Sequence, residues 1–290
     1  MARASSLRRG RVRAGVLGPR RLALYRDAHG QAHAIDARCP HLGADLSQGR
    51  VTPEGLRCAF HGWTFGADGA CRAAPGHRDP PGRCARVYPL EERWNLLWLF
   101  NGPRPLFALP TPDPGRRWRT LMLPAQRVAC HPHLVLANGL DLAHYEKLHG
   151  MTFDAPPTLD VARAGEVSVE LRGRPRSRLW QRLSGTSATP IVARFTTIGG
   201  SLAWSTVNAP TRFHVLFTGR PDATGGCVTR TLFFFPTPPG PAWLRGLGLM
   251  ATLLRHDRRV LDGLEFRPAF AETDAPLRAF ATAVDALGAW

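Results

Sequence analysis

Short apolar stretches separated by turn-forming residues dominate the first hundred positions. Leu22-Ala-Leu-Tyr25 and Ala32-His-Ala-Ile35 flank Asp27-Ala-His-Gly30, a β-hairpin pattern. Asp68-Gly69 and Ala74-Pro75-Gly76 mark later turns. The continuous apolar run Trp94-Asn-Leu-Leu-Trp-Leu-Phe100 predicts a buried closing strand ended by Asn101-Gly102. Residues 103–114 are dense in Pro and read as a linker. Beyond them the pattern mixes periods. It predicts a helix over about 132–148 and strands at 167–171, 191–197, 201–207, 213–217 and 228–235, with a turn at 222–226. A helix over about 242–264 and a short terminal helix close the chain. Strands flanked by helices at both ends predict an α+β fold. The boundary falls between an all-β domain, residues 1–102, and an α+β domain with an antiparallel sheet, residues 103–290.

Composition narrows the function classes. A chain of 290 residues is long enough to bury two cores. The formal charge of +16 invites a nucleic-acid reading, but the basic residues are spread along the chain and Lys147 is the only Lys among them. No nucleic-acid motif accompanies them, so no nucleic-acid partner is expected. The basic N-terminus lacks a following apolar region and is not a signal peptide. No run of about eighteen apolar residues exists, so no membrane span is expected, and the expected location is the cytoplasm. Cys71 and Cys84 have no assigned role, while Cys130 and Cys227 are expected as buried free thiols.

Four residues carry the first chemistry. Cys39-Pro-His41 and Cys58-Ala-Phe-His61 form C-x-H and C-x-x-H arms separated by sixteen residues. Structural zinc sites favour arms of like residues, whereas each arm here mixes Cys with His. The set suits a Rieske [2Fe–2S] cluster, with Cys39 and Cys58 on one iron and His41 and His61 on the other. Two neutral imidazoles in place of thiolates raise the potential from about −400 mV to roughly −150 mV or above. Such a centre passes single electrons.

With their flanks, Cys39-Pro-His-Leu-Gly43 and Cys58-Ala-Phe-His-Gly-Trp63 resemble the Rieske domains of ring-hydroxylating oxygenases. Respiratory-chain Rieske proteins carry an extra Cys in each loop, where this chain has Ala44 and Phe60. The segment Asn138-Gly-Leu-Asp141-Leu-Ala-His144-Tyr-Glu-Lys-Leu-His149-Gly150 resembles the mononuclear iron motif of the Rieske non-haem iron oxygenases. The resemblance implies His144 and His149 as Fe(II) ligands, completed by a distant carboxylate into a facial triad with positions left for O₂. Residues five apart on a regular helix point about 140° away from each other. His144 and His149 therefore converge only through a π-bulge or through unwinding before His149, which Gly150 permits.

Periodicity selects the carboxylate. Asp257 has Leu253, Leu254, Val260, Leu261 and Leu264 around it on one helical face, a costly place for an unpartnered acid. Asp262 neighbours Arg258, Arg259 and Glu265 on a charged face expected to be solvated. Asp257-Arg-Arg-Val-Leu261 also resembles the family's late D-x-x-V segment, so Asp257 is the expected third ligand and Glu265 the reserve. The resemblance further implies that Asp141 bridges His144 to His41 or His61 of a neighbouring subunit in a homotrimer, with Asn138 near the iron. His131 and His133 are not expected to be ligands.

The activity implied is that of a terminal oxygenase carrying a [2Fe–2S] cluster and mononuclear Fe(II). It would hydroxylate or oxidatively demethylate an apolar small molecule, aromatic, terpenoid or steroid-like. No flavin or NAD fingerprint is present, so a separate ferredoxin or flavin reductase is expected as donor. The second reading is a Rieske electron carrier without mononuclear iron. Val161, Val192, Phe195 and Trp204 are the expected pocket residues. The region after the linker is short for the family.

Overall fold

The computed structural model describes residues 2–162, 165–222, 224–237, 242–265 and 269–288. Ala223, inside the expected turn at 222–226, lies outside the described residues. Contacts divide the chain into two compact units, Met1–Leu106 and Phe107–Trp290.

The first unit holds three small antiparallel sheets. Val12–Leu17, Arg20–Arg26 and Ala32–Asp36 form one. Arg50–Thr52, Gly55–Arg57, Thr64–Phe65 and Cys71–Ala73 form the second in chain order. The third places Leu96–Leu99 between Ala2–Arg3 and Leu90–Arg93. Strand alternation explains the two cores. Leu22 and Leu24 face Leu7, Tyr88 and Leu97, while Ala23 and Tyr25 face Ile35, Leu46, Phe65, Cys39 and Cys58. One strand thus walls off two apolar clusters. The closing strand begins two residues later than its apolar run predicts. Trp94 and Asn95 adopt positive φ, 53° and 58°, and make the two-residue turn between the paired Arg93 and Leu96.

The second unit is built on a nine-stranded antiparallel sheet. Its main path runs Trp118–Met122, Cys227–Pro236, Phe213–Pro221, Leu202–Ala209, Ile191–Ile198, Glu166–Pro175 and Met151–Phe153. Gln126–Val128 extends one flank and Thr158–Ala162 the other. Five helices accompany it: α1 (Pro132–Ala137), α2 (Leu142–Lys147), α3 (Arg178–Ser184), α4 (Ala242–Leu261) and α5 (Ala275–Ala286). Register fixes the faces. Phe195, Ser205, Val215 and Phe233 are cross-strand partners on one face, and that face packs against α1, α4 and α5. Trp204, His214 and Phe234 lie on the other, where Trp204 Nε1 donates to Thr206 Oγ1 at 3.0 Å and that oxygen meets His214 Nδ1 at 3.0 Å.

The single helix expected over 132–148 is broken. α1 tightens into a 3₁₀ turn, Asn138–Leu140, and Asp141 is extended with φ −81° and ψ 100°. Gly139 lies against the Phe195 ring so closely that an added Cβ would sit 2.3 Å from ring atoms. Asp141 then caps α2, its Oδ1 accepting the His144 backbone N–H at 2.9 Å. α4 stops three residues before its predicted end. There Asp262 Oδ1 accepts the Ala129 N–H at 2.8 Å, and Gly263 N–H donates to Ala129 O at 3.0 Å. Asp262 is therefore a clasp between α4 and the entry to α1, not only a solvated charge.

Candidate metal centres

Two loops of the first unit carry the Cys and His arms, and they are built alike. Cys39 N–H donates to Ala44 O at 2.8 Å and Gly43 N–H to Cys39 O at 2.8 Å. Cys58 N–H donates to Trp63 O at 2.8 Å and Gly62 N–H to Cys58 O at 3.2 Å. Gly43 and Gly62 close the two turns with φ of +77° and +74°, a conformation that favours glycine. Both thiols are buried in the apolar cluster, and burial pushes the Cys39 thiol up. The His41 and His61 rings lie 4.8 Å apart, and His41 stacks on Trp63 at 4.4 Å. His41 Nδ1 is buried without a hydrogen bond among the described residues. Arg83 ties the neighbouring loop down by donating to Pro40 O at 2.8 Å.

The second constellation comes from α2, the turn after it and α4. α2 ends at Lys147 and Gly150 turns with φ +59°, so the chain unwinds before His149 and no π-bulge is used. His144 Nε2 lies 2.9 Å and His149 Nε2 2.7 Å from Asp257 Oδ1. Donor atoms of His144, His149 and Asp257 all lie within 4.8 Å of one another. Asp257 is mostly buried; its two histidines hold its carboxyl below the ordinary value, although desolvation works the other way. His149 Nδ1 is buried without a hydrogen bond among the described residues.

Around this centre, Tyr145 is half-buried and its OH donates to Gly139 O at 3.4 Å. Burial first, then Asp257 and Asp141, pushes its phenol far up, so it stays protonated. The His256 ring lies parallel to His149 at 6.1 Å. Neither residue was expected, although His256 adjoins Asp257 in the sequence. Glu265 is not grouped with the three donors. His131 Nδ1 accepts the His133 N–H at the start of α1, and burial pulls His133 down to about 4. Cys130 and Cys227, remote in sequence, share a thiol–thiol hydrogen bond that with burial pushes Cys227 up.

A cavity of about 160 Å³ opens onto the three donors, comparable with the roughly 150 Å³ cavities that hold benzene. Val135, Phe195, Val207, Phe213, Leu249 and Met250 supply apolar wall, and Asn138 lines it near the histidines. Of the expected pocket residues only Phe195 takes part. Trp204 lies on the other sheet face against His214, Val192 alternates away from the cavity-lining Ala193, and Val161 is exposed on a flanking strand.

Comparison with known proteins adds to this geometry. Residues 1–89 match the Rieske [2Fe-2S] domain. The chain is 35% identical to the 4beta-methylsterol monooxygenase of Methylococcus capsulatus over 44% of its length and 37% of the relative's. It is 34% identical to the 5,5'-dehydrodivanillate O-demethylase oxygenase subunit of Sphingobium over 44% of its length and 32% of that protein's. The matched segment thus spans about a third of these curated relatives. Dicamba monooxygenase bound to dicamba shares the fold with a TM-score of 0.69 at 22% identity, over 99% of this chain and 95% of that one. NdmB of Pseudomonas putida does so with a TM-score of 0.70 at 18% identity, over 96% and 86%.

The residues fit the groups that this likeness implies. Two buried thiols, two facing imidazoles and an orphaned His41 nitrogen form a donor set suited to a two-iron cluster. Two histidines and one carboxylate, with the orphaned His149 nitrogen, suit a mononuclear Fe(II).

Proposed function

We propose that the chain is a Rieske non-haem iron oxygenase and the terminal oxygenase of a multicomponent system. Its reaction would be O₂-dependent hydroxylation or oxidative demethylation of an apolar small molecule. One observation carries the reading: the cluster loops share a chain with two histidines and a carboxylate that converge within 4.8 Å at an apolar cavity. When bound, the cluster supplies single electrons and the Fe(II) supplies a centre for O₂ activation. The chain's own residues do the rest. Cys39, Cys58, His41 and His61 hold the cluster, and the two matched turns orient them. His144, His149 and Asp257 hold the iron, leaving coordination positions free. The cavity walls bind the apolar substrate and exclude water, while protonated Tyr145 braces the break before α2 through Gly139.

Asp141 uses Oδ1 to cap α2 and has no described partner for Oδ2. In a homotrimer that second oxygen would take a hydrogen bond from a cluster histidine, His41 or His61, of the neighbouring subunit. The electron donor would be a separate ferredoxin or flavin reductase in the cytoplasm, steered by the chain's positive charge. No helix among the described residues is long and apolar enough to cross a membrane.

The test is metal stoichiometry on protein reconstituted anaerobically, followed by O₂ uptake with a surrogate reductase. We expect three irons and two sulfides per chain, with uptake that rises on adding an apolar aromatic or sterol substrate. Two irons and no substrate-dependent uptake would leave an electron carrier instead.

A further inference from the structure

The lining of the cavity that reaches the three donors also includes Ser184 of α3, Pro210, and Gly246 and Met250 of α4. The elements that carry these residues have an unusual surface. α3 exposes Leu179 (66%), Leu183 (55%) and Trp180 (39%), which at helical spacing share one face. The first turn of α4 exposes Leu244 (58%), whose neighbour Arg245 lies 3.6 Å from the Cβ position of Gly185, the residue that ends α3. Ser177 caps α3 through the Trp180 N–H and Gly185 closes it at φ +76°, so this short helix is deliberately terminated at both ends. It nevertheless presents its largest apolar side chains outward.

Charge around these side chains is predominantly positive: the nearby Asp113 and Asp154 are each paired with an arginine, Arg212 and Arg174. Arg176, Arg178, Arg182 and Arg245 surround the leucines, and among the described residues none of the four has a carboxylate partner. From Leu171 to His256 the chain contains one acid, Asp222. That acid is bound to Arg127 at 2.8 Å and is separated from Pro210 by the nine-residue strand Phe213–Pro221. The surface formed by α3 and the first turn of α4 is thus apolar, aromatic and strongly basic.

We propose that α3 and the first turn of α4 form a docking surface for an anionic lipid bilayer, from which an apolar substrate passes directly into the cavity. Trp and Leu side chains enter the interfacial region while arginines take the lipid phosphates. A second copy meeting this surface face to face would bring like charges together. An acidic protein partner would also satisfy the arginines, and a lack of binding to anionic vesicles would point to it instead. The docking step stands independently of the oxygenase reading; only the delivery of substrate rests on it.

The experiment is co-sedimentation of the full-length, iron-loaded protein with phosphatidylglycerol–phosphatidylcholine vesicles and with pure phosphatidylcholine vesicles. Wild type should bind the anionic vesicles and release them as salt rises. Leu179→Ser with Leu183→Ser keeps every charge and should weaken binding about tenfold. Arg178→Gln with Arg182→Gln should cost about fivefold per arginine, whereas Arg127→Gln with Arg220→Gln, at the far end of the strand Phe213–Pro221, should change binding less than about twofold. Equal binding by wild type and the serine variant would overturn the proposal, because net charge alone would then explain the association. So would equal losses from the two arginine pairs, or no binding to anionic vesicles at low salt. An assembly seen by light scattering that the serine variant breaks, without vesicle binding, would assign the surface to a contact between copies. Iron is counted on the same samples. A protein that binds vesicles but lacks mononuclear iron would refute the oxygenase reading and leave docking intact.

Discussion

The two candidate metal centres of this chain are assembled in opposite ways. The cluster loops are local: each is a short turn that closes on its own backbone hydrogen bonds, with its own glycine at the reversal. The three-donor centre is distributed. Two histidines come from a broken helical segment, and the carboxylate arrives on a helix more than a hundred residues later. Local turns pay little closure entropy, whereas a distributed site depends on the whole unit being folded. A cluster loop should therefore fail only when a ligand is removed. The distributed centre should also respond to changes in packing well away from the iron.

The sharpest break in that comparison is Cys58→Ala. It should remove iron, sulfide and visible colour together and abolish turnover, while circular dichroism of the larger unit stays the same. Next, Asp257→Ala should lower retention of mononuclear iron more than about 100-fold, beyond the loss typical of outer-shell partners. The visible cluster spectrum should not move, as spectroscopy and metal analysis will check. Asp141→Asn separates bridging from folding. Asn caps helices as well as Asp does, so α2 and both metals should persist. Single-turnover reoxidation of the cluster should slow by about 10–100-fold; a rate near wild type would remove the cross-subunit bridge and the main argument for a trimer.

Two packing changes test the distributed half. Gly139→Ala drives a methyl group into the Phe195 ring and should cost about 1–3 kcal/mol, seen as a lower Tm and lower mononuclear iron content with an unaltered cluster. Asp262→Ala removes the acceptor for the Ala129 amide and should cost about 1 kcal/mol. Its effect on turnover should be the smallest of the five.

The contrast also explains what could be read from the residues alone. The cluster arms are contiguous motifs, and their mixed Cys–His spacing states their chemistry directly. Asp257 was legible for another reason: an acid on an apolar helical face needs partners, and the structure supplies His144 and His149. The break between α1 and α2 was not read, although Asn138-Gly139 and a capping Asp141 announce it, because apolar periodicity continues across the gap. α3 escaped because its leucines face outward, so nothing in the core pattern marks it, despite Ser177 and Gly185 at its ends. Trp204 was misassigned for want of register: which way a strand residue points follows from its cross-strand partners, here Leu216 and Thr196. The turn at Trp94-Asn95 hid inside an apolar run because a tryptophan rarely occupies positive φ.

The clasp at the end of α4 also bears on how fast a metal could enter and leave. Both histidines belong to one continuous segment, so two donors stand together, while the third is carried on α4, a separate helix. If that helix opened locally, Asp262 and Gly263 on Ala129 would act as its latch. Exchange of an ion held there would then follow local opening of α4, which in general costs less than global unfolding. Weakening the latch should shorten the residence time of the metal while leaving its equilibrium donor set intact, so the rate of iron loss to a chelator, and not its final extent, is where that small contact acts.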